Sequence, residues 1–372
     1  MAVTVSRPAR RRPTFHPLPV AAVDRLTDEA VAITFAVPPE LRAAFAFRAG
    51  QHVTVRLPPA GDAGEEVRRS YSICSTPADL AGPGRLRIGV KEVPGGAFSG
   101  YATRALRAGD TVAVLAPLGS FTTDFDPGRR RRYGAVVAGS GITPVLSIAA
   151  TALATEPAST VALIYGNRHA RGVMFADELA DLKDRYPARL QVVHVLSREP
   201  RDAALLSGRL DAERIAGLLA AVVPGDHIDE WFLCGPQGMV ADARTVLTAR
   251  GVPAAAVHTE LFFAALAAEA PPAATTAADP RDVAVTVLLD GRASAVSMGR
   301  HERVLDAALR VRAELPYACK GGVCATCRAR VTDGEVRMAR NFALEPDELA
   351  AGYVLTCQAT PVSDRLAVDY DA

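Results

Sequence analysis

Short runs of alternating apolar and polar residues dominate the chain from residue 15 to about 126. Ala30-Val31-Ala32-Ile33-Thr34-Phe35 and His52-Val53-Thr54-Val55-Arg56-Leu57 show the pattern well. Alternation at period two, punctuated by Pro and Gly, predicts short antiparallel strands closed into a small β-barrel over 15–126. From 133 to 262 the pattern changes. Apolar runs at Tyr133–Ala138, Val161–Tyr165, Gln191–Leu196 and Trp231–Cys234 alternate with helix-like stretches that follow Pro144, Gly172 and Pro236. That order predicts an α/β domain, a parallel sheet with helices on both faces. Residues 263–282 are mostly Ala, Pro and Thr, the composition of a semi-flexible linker. Alternation returns in 283–372, where Val283–Leu289 and Arg292–Met298 flank the hairpin signal Asp290-Gly291. A helix over Val304–Ala313 follows. The chain is therefore multidomain.

Composition narrows the class. Of 372 residues 49% are hydrophobic, enough for several buried cores, and the formal net charge is +1. Such a balance gives no electrostatic case for nucleic acid or for a membrane surface. No apolar run approaches the ~20 residues of a spanning helix. The leader Arg10-Arg11-Arg12-Pro13 is basic but lacks the apolar core of a secretory signal. A cytoplasmic protein is expected, and with it reduced cysteines.

Those cysteines carry the sharpest chemistry. Cys319, Cys324 and Cys327 stand in C-x4-C-x2-C spacing, closed by a distant Cys357. This is the spacing of a plant-type [2Fe–2S] centre, in which four thiolates converge on two irons. Gly321 and Gly322 allow the loop to bend so that N–H groups face the cluster sulfurs. A structural zinc site would show two C-x2-C pairs or Cys/His pairs, and only one C-x2-C is present. Cys74 and Cys234 lie far from this group in sequence.

Other motifs lie upstream. Arg69-Ser70-Tyr71-Ser72 sits in a strand-like run. Strand geometry puts Arg69 and Tyr71 on one face and Ser70 and Ser72 on the other. An arginine can pair with phosphate, a tyrosine can stack on an isoalloxazine, and a hydroxyl can bond a flavin edge. Alone, the tetrapeptide also fits an ordinary strand. Val90-Lys91 leads to Gly95-Gly96-Ala97-Phe98-Ser99, a glycine pair before a helical start over Phe98–Leu106. It suits a pyrophosphate cradle, and equally a tight hairpin turn. Gly139-Ser140-Gly141-Ile142-Thr143-Pro144 follows the first α/β strand. Its glycines allow a tight turn, Pro144 suits a first helical position, and the helix start can bind phosphate. After the second strand Tyr165-Gly166-Asn167-Arg168 replaces the usual ribose-binding acid, and the third ends in Ser197-Arg198-Glu199. Cys234-Gly235-Pro236-Gln237-Gly238-Met239 closes the set.

In this order the motifs resemble the ferredoxin–NADP reductase family over roughly residues 15–262. The resemblance implies that Arg69, Ser70, Tyr71 and Ser72, with Val90, Lys91, Gly95, Gly96 and Ser99, hold FAD. It implies that Gly139, Gly141, Ile142, Thr143, Pro144, Gly235, Pro236 and Met239 border a nicotinamide nucleotide. Ser72, Cys234 and Glu260 would shape the hydride site. Arg168, Ser197 and Arg198 resemble a grip for a 2′-phosphate, so NADPH is expected, with NADH as the alternative. Residues 283–372 resemble the β-grasp fold of plant-type ferredoxins. The stretches Cys319–Cys324, Asn341–Glu348 and Ala351–Cys357 resemble the reductase subunits of phenylacetyl-CoA epoxidases. That likeness implies electron flow from NADPH through FAD and the [2Fe–2S] cluster to the oxygenase component of a multicomponent monooxygenase. The alternatives are a reductase for another oxygenase, such as ketosteroid 9α-hydroxylase, and a carrier without catalysis.

Overall fold

The computed structural model describes residues 14–57, 66–223, 227–262 and 283–372. It forms two compact units, one that takes in residues 16–262 and one that takes in residues 283–372. The 263–282 linker lies outside the described residues.

The first unit begins with β1 (Phe15–Thr27), β2 (Ala30–Ala36), β3 (His52–Leu57), β4 (Val67–Ser72), helix α1 (Pro77–Ala81), β5 (Arg85–Lys91), α2 (Ala97–Arg104) and β6 (Thr111–Leu118). The six strands run in the order β4-β3-β6-β1-β2-β5. A single bridge from Ile73 to Ile88 joins the two outer strands and closes the barrel. Val31, Ile33 and Phe35 of β2 point into the barrel core with Val53, Val55, Leu86 and Ile88. The alternate residues Ala30 and Ala32 point the other way, into a core shared with the next half of the unit. Their small side chains let that half approach closely.

The α/β half contains β7 (Arg132–Ala138), α3 (Ile142–Thr155), β8 (Thr160–Asn167), α4 (Ala176–Arg185), β9 (Leu190–Leu196), α5 (Ala212–Ala221), β10 (Glu230–Gly235), α6 (Gln237–Ala249) and β11 (Val257–Leu261). All pairings in the order β11-β10-β7-β8-β9 are parallel. Ala135 and Val137 of β7 pack with α3 and α4, while Val136 packs with α5 and α6. Both faces are thus covered, as a parallel sheet requires. The alternation of strands and helices anticipated β7 to β10 within a residue or two. It did not anticipate α5 or the edge strand β11.

The second unit holds β12 (Val283–Leu289), β13 (Arg292–Met298), α7 (Val304–Leu309), β14 (Arg328–Asp333), β15 (Val336–Met338), α8 (Pro346–Ala350), β16 (Tyr353–Leu355), β17 (Ala359–Pro361) and β18 (Arg365–Asp369). The main sheet is mixed, in the order β13-β12-β18-β14-β16, with β12 and β18 parallel. Asp290 and Gly291 both take positive φ, the primed turn that their dipeptide signals. The helix expected to reach Ala313 ends at Leu309. Beyond it Arg312 is buried and bonds the Leu289 carbonyl, the Ser294 hydroxyl and Glu314, anchoring the chain back on the β12–β13 hairpin.

Candidate functional site

In the first unit the parallel sheet changes direction between β7 and β10, where crossovers leave on opposite sides. Ligands of such sheets bind at this switch point, beyond the carboxyl ends of the strands. The turn Gly139–Gly141 follows β7, and Gly139 takes φ +56°. A Cβ on Gly141 would lie 2.2 Å from the Cys234 carbonyl oxygen, so only glycine lets this turn close on the end of β10. α3 starts at Ile142, which corrects the expectation for Pro144. Pro144 is the third helical residue, still within the turn whose N–H groups lack helical partners. Thr143 donates from Oγ1 to the Ser140 carbonyl at 3.0 Å. Pro236 stands just before α6, and Met239 is buried behind Gly235. Tyr165, noted in sequence only as part of the strand end, donates its hydroxyl to the Gly139 carbonyl at 3.0 Å and pins the turn. No sequence signal marks that role.

The ends of β8 and β9 are zipped together. Ser197 N–H donates to Asn167 O at 2.8 Å and Arg198 N–H to Arg168 O at 2.9 Å. Arg168 and Arg198 are exposed and adjacent in the two paired strand ends. The Glu199 carboxylate accepts the Ala170 N–H at 2.8 Å, which occupies one oxygen of the only acid in that tripeptide.

The three residues expected at the hydride site converge. Ser72 ends β4, Cys234 lies in β10, and Glu260 lies beside it in β11 at the register pair Cys234–Glu260. Ser72 Oγ donates to Glu260 Oε2 at 3.0 Å across 188 residues of sequence. Burial raises the Glu260 pKa from 4.5 to about 7, and the Ser72 hydrogen bond partly opposes this. Burial, with the Glu260 charge, pushes the Cys234 thiol up and keeps it neutral.

Around the barrel the other flavin candidates divide. Tyr71 packs against Phe98 with ring centroids 5.3 Å apart, and burial raises its pKa. Arg69 is exposed, and Ser70 Oγ lies 3.3 Å from Thr54 Oγ1. Val90 points its side chain into the barrel core, so it has only backbone to offer a cofactor. Lys91 Nζ is 3.6 Å from Glu29. Gly95 takes φ +73° and has open space where a Cβ would be. Ser99 is bound within its own loop, accepting the Val93 N–H at 3.1 Å and donating to Gly96 O at 3.3 Å.

In the second unit the β14–β16 ladder pairs Arg328 with Leu355, and this brings the remote Cys357 to Cys327. Thr356 Oγ1 donates to the Cys327 carbonyl at 2.9 Å. Cys319 hydrogen-bonds with Cys324, and Cys327 with Cys357, so the four thiols stand as two pairs. Lys320, Gly322 and Ala325 all take positive φ, curling the loop. The Cys324 thiol, together with the backbone N–H groups of Val323, Gly321 and Cys324, holds the Cys319 thiol below its ordinary pKa. Gln358 Nε2 reaches Cys357 Sγ at 3.6 Å. Two thiol pairs with backbone N–H donors suit a two-iron cluster. Phe342 N–H donates to Gly322 O at 3.0 Å, which ties the Asn341–Glu348 stretch to the cysteine loop.

Comparison with known proteins agrees with this architecture. The FAD-binding oxidoreductase domain family matches residues 17–123, the NAD-binding oxidoreductase domain family 136–245, and the 2Fe-2S iron-sulfur cluster binding domain family 287–362. The chain is 48% identical over 96% of its length to a subunit of the 1,2-phenylacetyl-CoA epoxidase of Escherichia coli, covering 98% of that protein. It is 36% identical over 95% of its length to the ferredoxin reductase component of 3-ketosteroid-9-alpha-monooxygenase of Rhodococcus rhodochrous, covering 96%. Phthalate dioxygenase reductase shares the fold, with TM-score 0.56 at 24% identity over 95% of this chain and 98% of that one. No helix among the described residues is long and apolar enough to cross a membrane. Three cofactor domains in one order, and a relative matched almost end to end, place this chain in the family of that phenylacetyl-CoA epoxidase subunit and related oxygenase reductase components: it is an NAD(P)H-dependent flavin and iron–sulfur oxidoreductase.

Proposed function

We propose that this chain is the reductase of a phenylacetyl-CoA epoxidase and draws electrons from NADPH. The 48% identity with the epoxidase relative, against 36% with the ketosteroid reductase component, carries the assignment of the acceptor. FAD, when bound, would supply the two-electron to one-electron conversion between the nicotinamide and the [2Fe–2S] cluster, chemistry that belongs to the cofactors.

The protein supplies position and electrostatics. Tyr71 and Arg69 present a ring and a cation to FAD, and Gly95 and Gly96 offer backbone to its pyrophosphate. The Gly139–Pro144 turn and Gly235-Pro236 receive the nucleotide. Arg168, Ser197 and Arg198 select the 2′-phosphate. Ser72 and Glu260 hold a proton near neutral pH beside the flavin, and neutral Cys234 keeps that wall apolar. Cys319, Cys324, Cys327 and Cys357 would hold the two irons of the cluster through their thiolates. Residues 15–126, 133–262 and 283–372 act as the three modules. The near balance of acids and bases in the last module favours docking by shape and a few local pairs, for which Arg337 and Arg340 are candidates.

Reconstitution tests the assignment. This protein with NADPH, oxygen and the cognate oxygenase should epoxidise phenylacetyl-CoA, and the mixture without it should not. Efficient support of a ketosteroid hydroxylase but not of the epoxidase would leave the reductase and remove the partner.

A further inference from the structure

The outer face of β5 is bare at one point and charged at another. Leu86, Ile88 and Val90 point into the barrel core, so Arg87 and Gly89 face away from it. Arg87 Nη1 donates to Glu178 of α4 at 2.8 Å, and its Nη2 lies 3.4 Å from Asp24 of β1. The same guanidinium lies 5.5 Å from the centre of the Phe175 ring. Phe175 immediately precedes α4 with φ +58°, a left-handed conformation that a bulky aromatic residue keeps only when its surroundings hold it. It is fully buried. A Cβ on Gly89 would lie 2.7 Å from Thr143 Cγ2 and 2.9 Å from the Phe175 ring. Thr143 belongs to the first turn of α3, two residues from the Gly141 that abuts Cys234. Arg87 thus lies against Phe175, Phe175 and Thr143 both crowd Gly89, and Thr143 stands two residues from the turn that abuts the hydride-site wall.

We propose that this face of β5 is the seam that seats the nucleotide-binding half on the barrel, and that Arg87 is a positioning residue for electron transfer from nicotinamide to flavin. The proposal rests on the electron-transfer reading above. Arg87 suits the task because its planar fork can engage two carboxylates from different elements while its face covers a ring. Its side chain is only 24% exposed, so water competes less than at an open surface pair. Without it, Glu178 and Asp24 face each other across the seam with no cation between them. Small errors of approach matter because transfer efficiency falls steeply when reacting atoms are misplaced by about 1 Å.

The test uses the whole holoprotein and Arg87→Ala, with Arg85→Ala as a control on the same strand and Glu178→Gln as an attack on the clamp from the other side. In anaerobic stopped flow, Arg87→Ala should lower the limiting rate of flavin reduction ~10-fold, leave the nucleotide Kd within about twofold and retain FAD. Glu178→Gln should act in the same direction, Arg87→Lys should restore part of the rate, and Arg85→Ala should do nothing. Hydrogen exchange at Thr143–Ser147 and Phe175–Leu179 should quicken in Arg87→Ala alone of the two arginine variants. Unchanged exchange, an unchanged limiting rate, or a rate loss that merely tracks lost FAD would overturn the proposal. A wild-type flavin that neither nicotinamide reduces would instead sink the electron-transfer reading, while the exchange result still decides whether Arg87 holds the seam.

Discussion

Glu260→Gln isolates the cost of holding one carboxyl beside Ser72 and Cys234. In the folded chain the Glu260 pKa stands at about 7, against 4.5 for an ordinary glutamate, because burial disfavours the charged form more than the Ser72 hydrogen bond favours it. A raised acid pKa has a definite sign. Below pH ~4.5 both folded and unfolded chains bind the proton, and the group adds no pH dependence. Between about 4.5 and 7 only the folded chain binds it, so stability falls as pH rises. Above about 7 the loss is complete. At about 1.4 kcal/mol per pH unit the ceiling is ~3.5 kcal/mol. Glu260 keeps partial access to solvent, so a loss on the order of 2 kcal/mol is the better expectation.

Gln cannot titrate, so Glu260→Gln should lack this loss. Trp231 makes the assay specific. It is the chain's one tryptophan, fully buried in β10 of the same unit, and its fluorescence reports that unit's unfolding. Urea unfolding of holoprotein from pH 5 to 8 should show wild type losing stability relative to Glu260→Gln as pH rises. Ser72→Ala removes the opposing hydrogen bond and should move the midpoint of the loss upward. Parallel pH profiles for wild type and Glu260→Gln, or a downward move in Ser72→Ala, would refute the reasoning.

Three further outcomes follow from the two units. Cys324→Ser should abolish cytochrome c reduction yet leave ferricyanide reduction, which flavin alone supports; equal loss of both in a folded, FAD-loaded variant would contradict separate roles. Arg198→Ala should raise KM for NADPH by ~10-fold or more and leave NADH nearly unchanged, as expected where an arginine accommodates the 2′-phosphate; steady-state kinetics with both nucleotides decides, and a wild type that prefers NADH overturns the idea. Gly141→Ala would drive a methyl into the Cys234 carbonyl. It should cost ~1–3 kcal/mol by Trp231-monitored unfolding and weaken nucleotide binding, since overpacking of this size forces backbone to move.

Local chemistry made much of this protein legible in one dimension. The β12–β13 hairpin follows from two alternating runs around Asp290-Gly291, because alternation and turn chemistry are short-range properties. The strands of the parallel sheet are legible for the same reason, as buried apolar runs. The spacing of Cys319, Cys324 and Cys327 speaks for a cluster before any fold is known. What sequence order hides is juxtaposition. Glu260 lies in an edge strand with no strong pattern of its own, and only parallel pairing with β10 brings its carboxyl to Ser72, 188 residues away. Cys357 reaches Cys327 because Arg328 pairs with Leu355. Phe175 holds a left-handed backbone that its own type disfavours, and Gly89 is bare for a neighbour far along the chain. Periodicity records which face of an element is buried. Which element it meets there depends on the packing of the whole domain, where close-packed interiors leave few arrangements that satisfy every buried group.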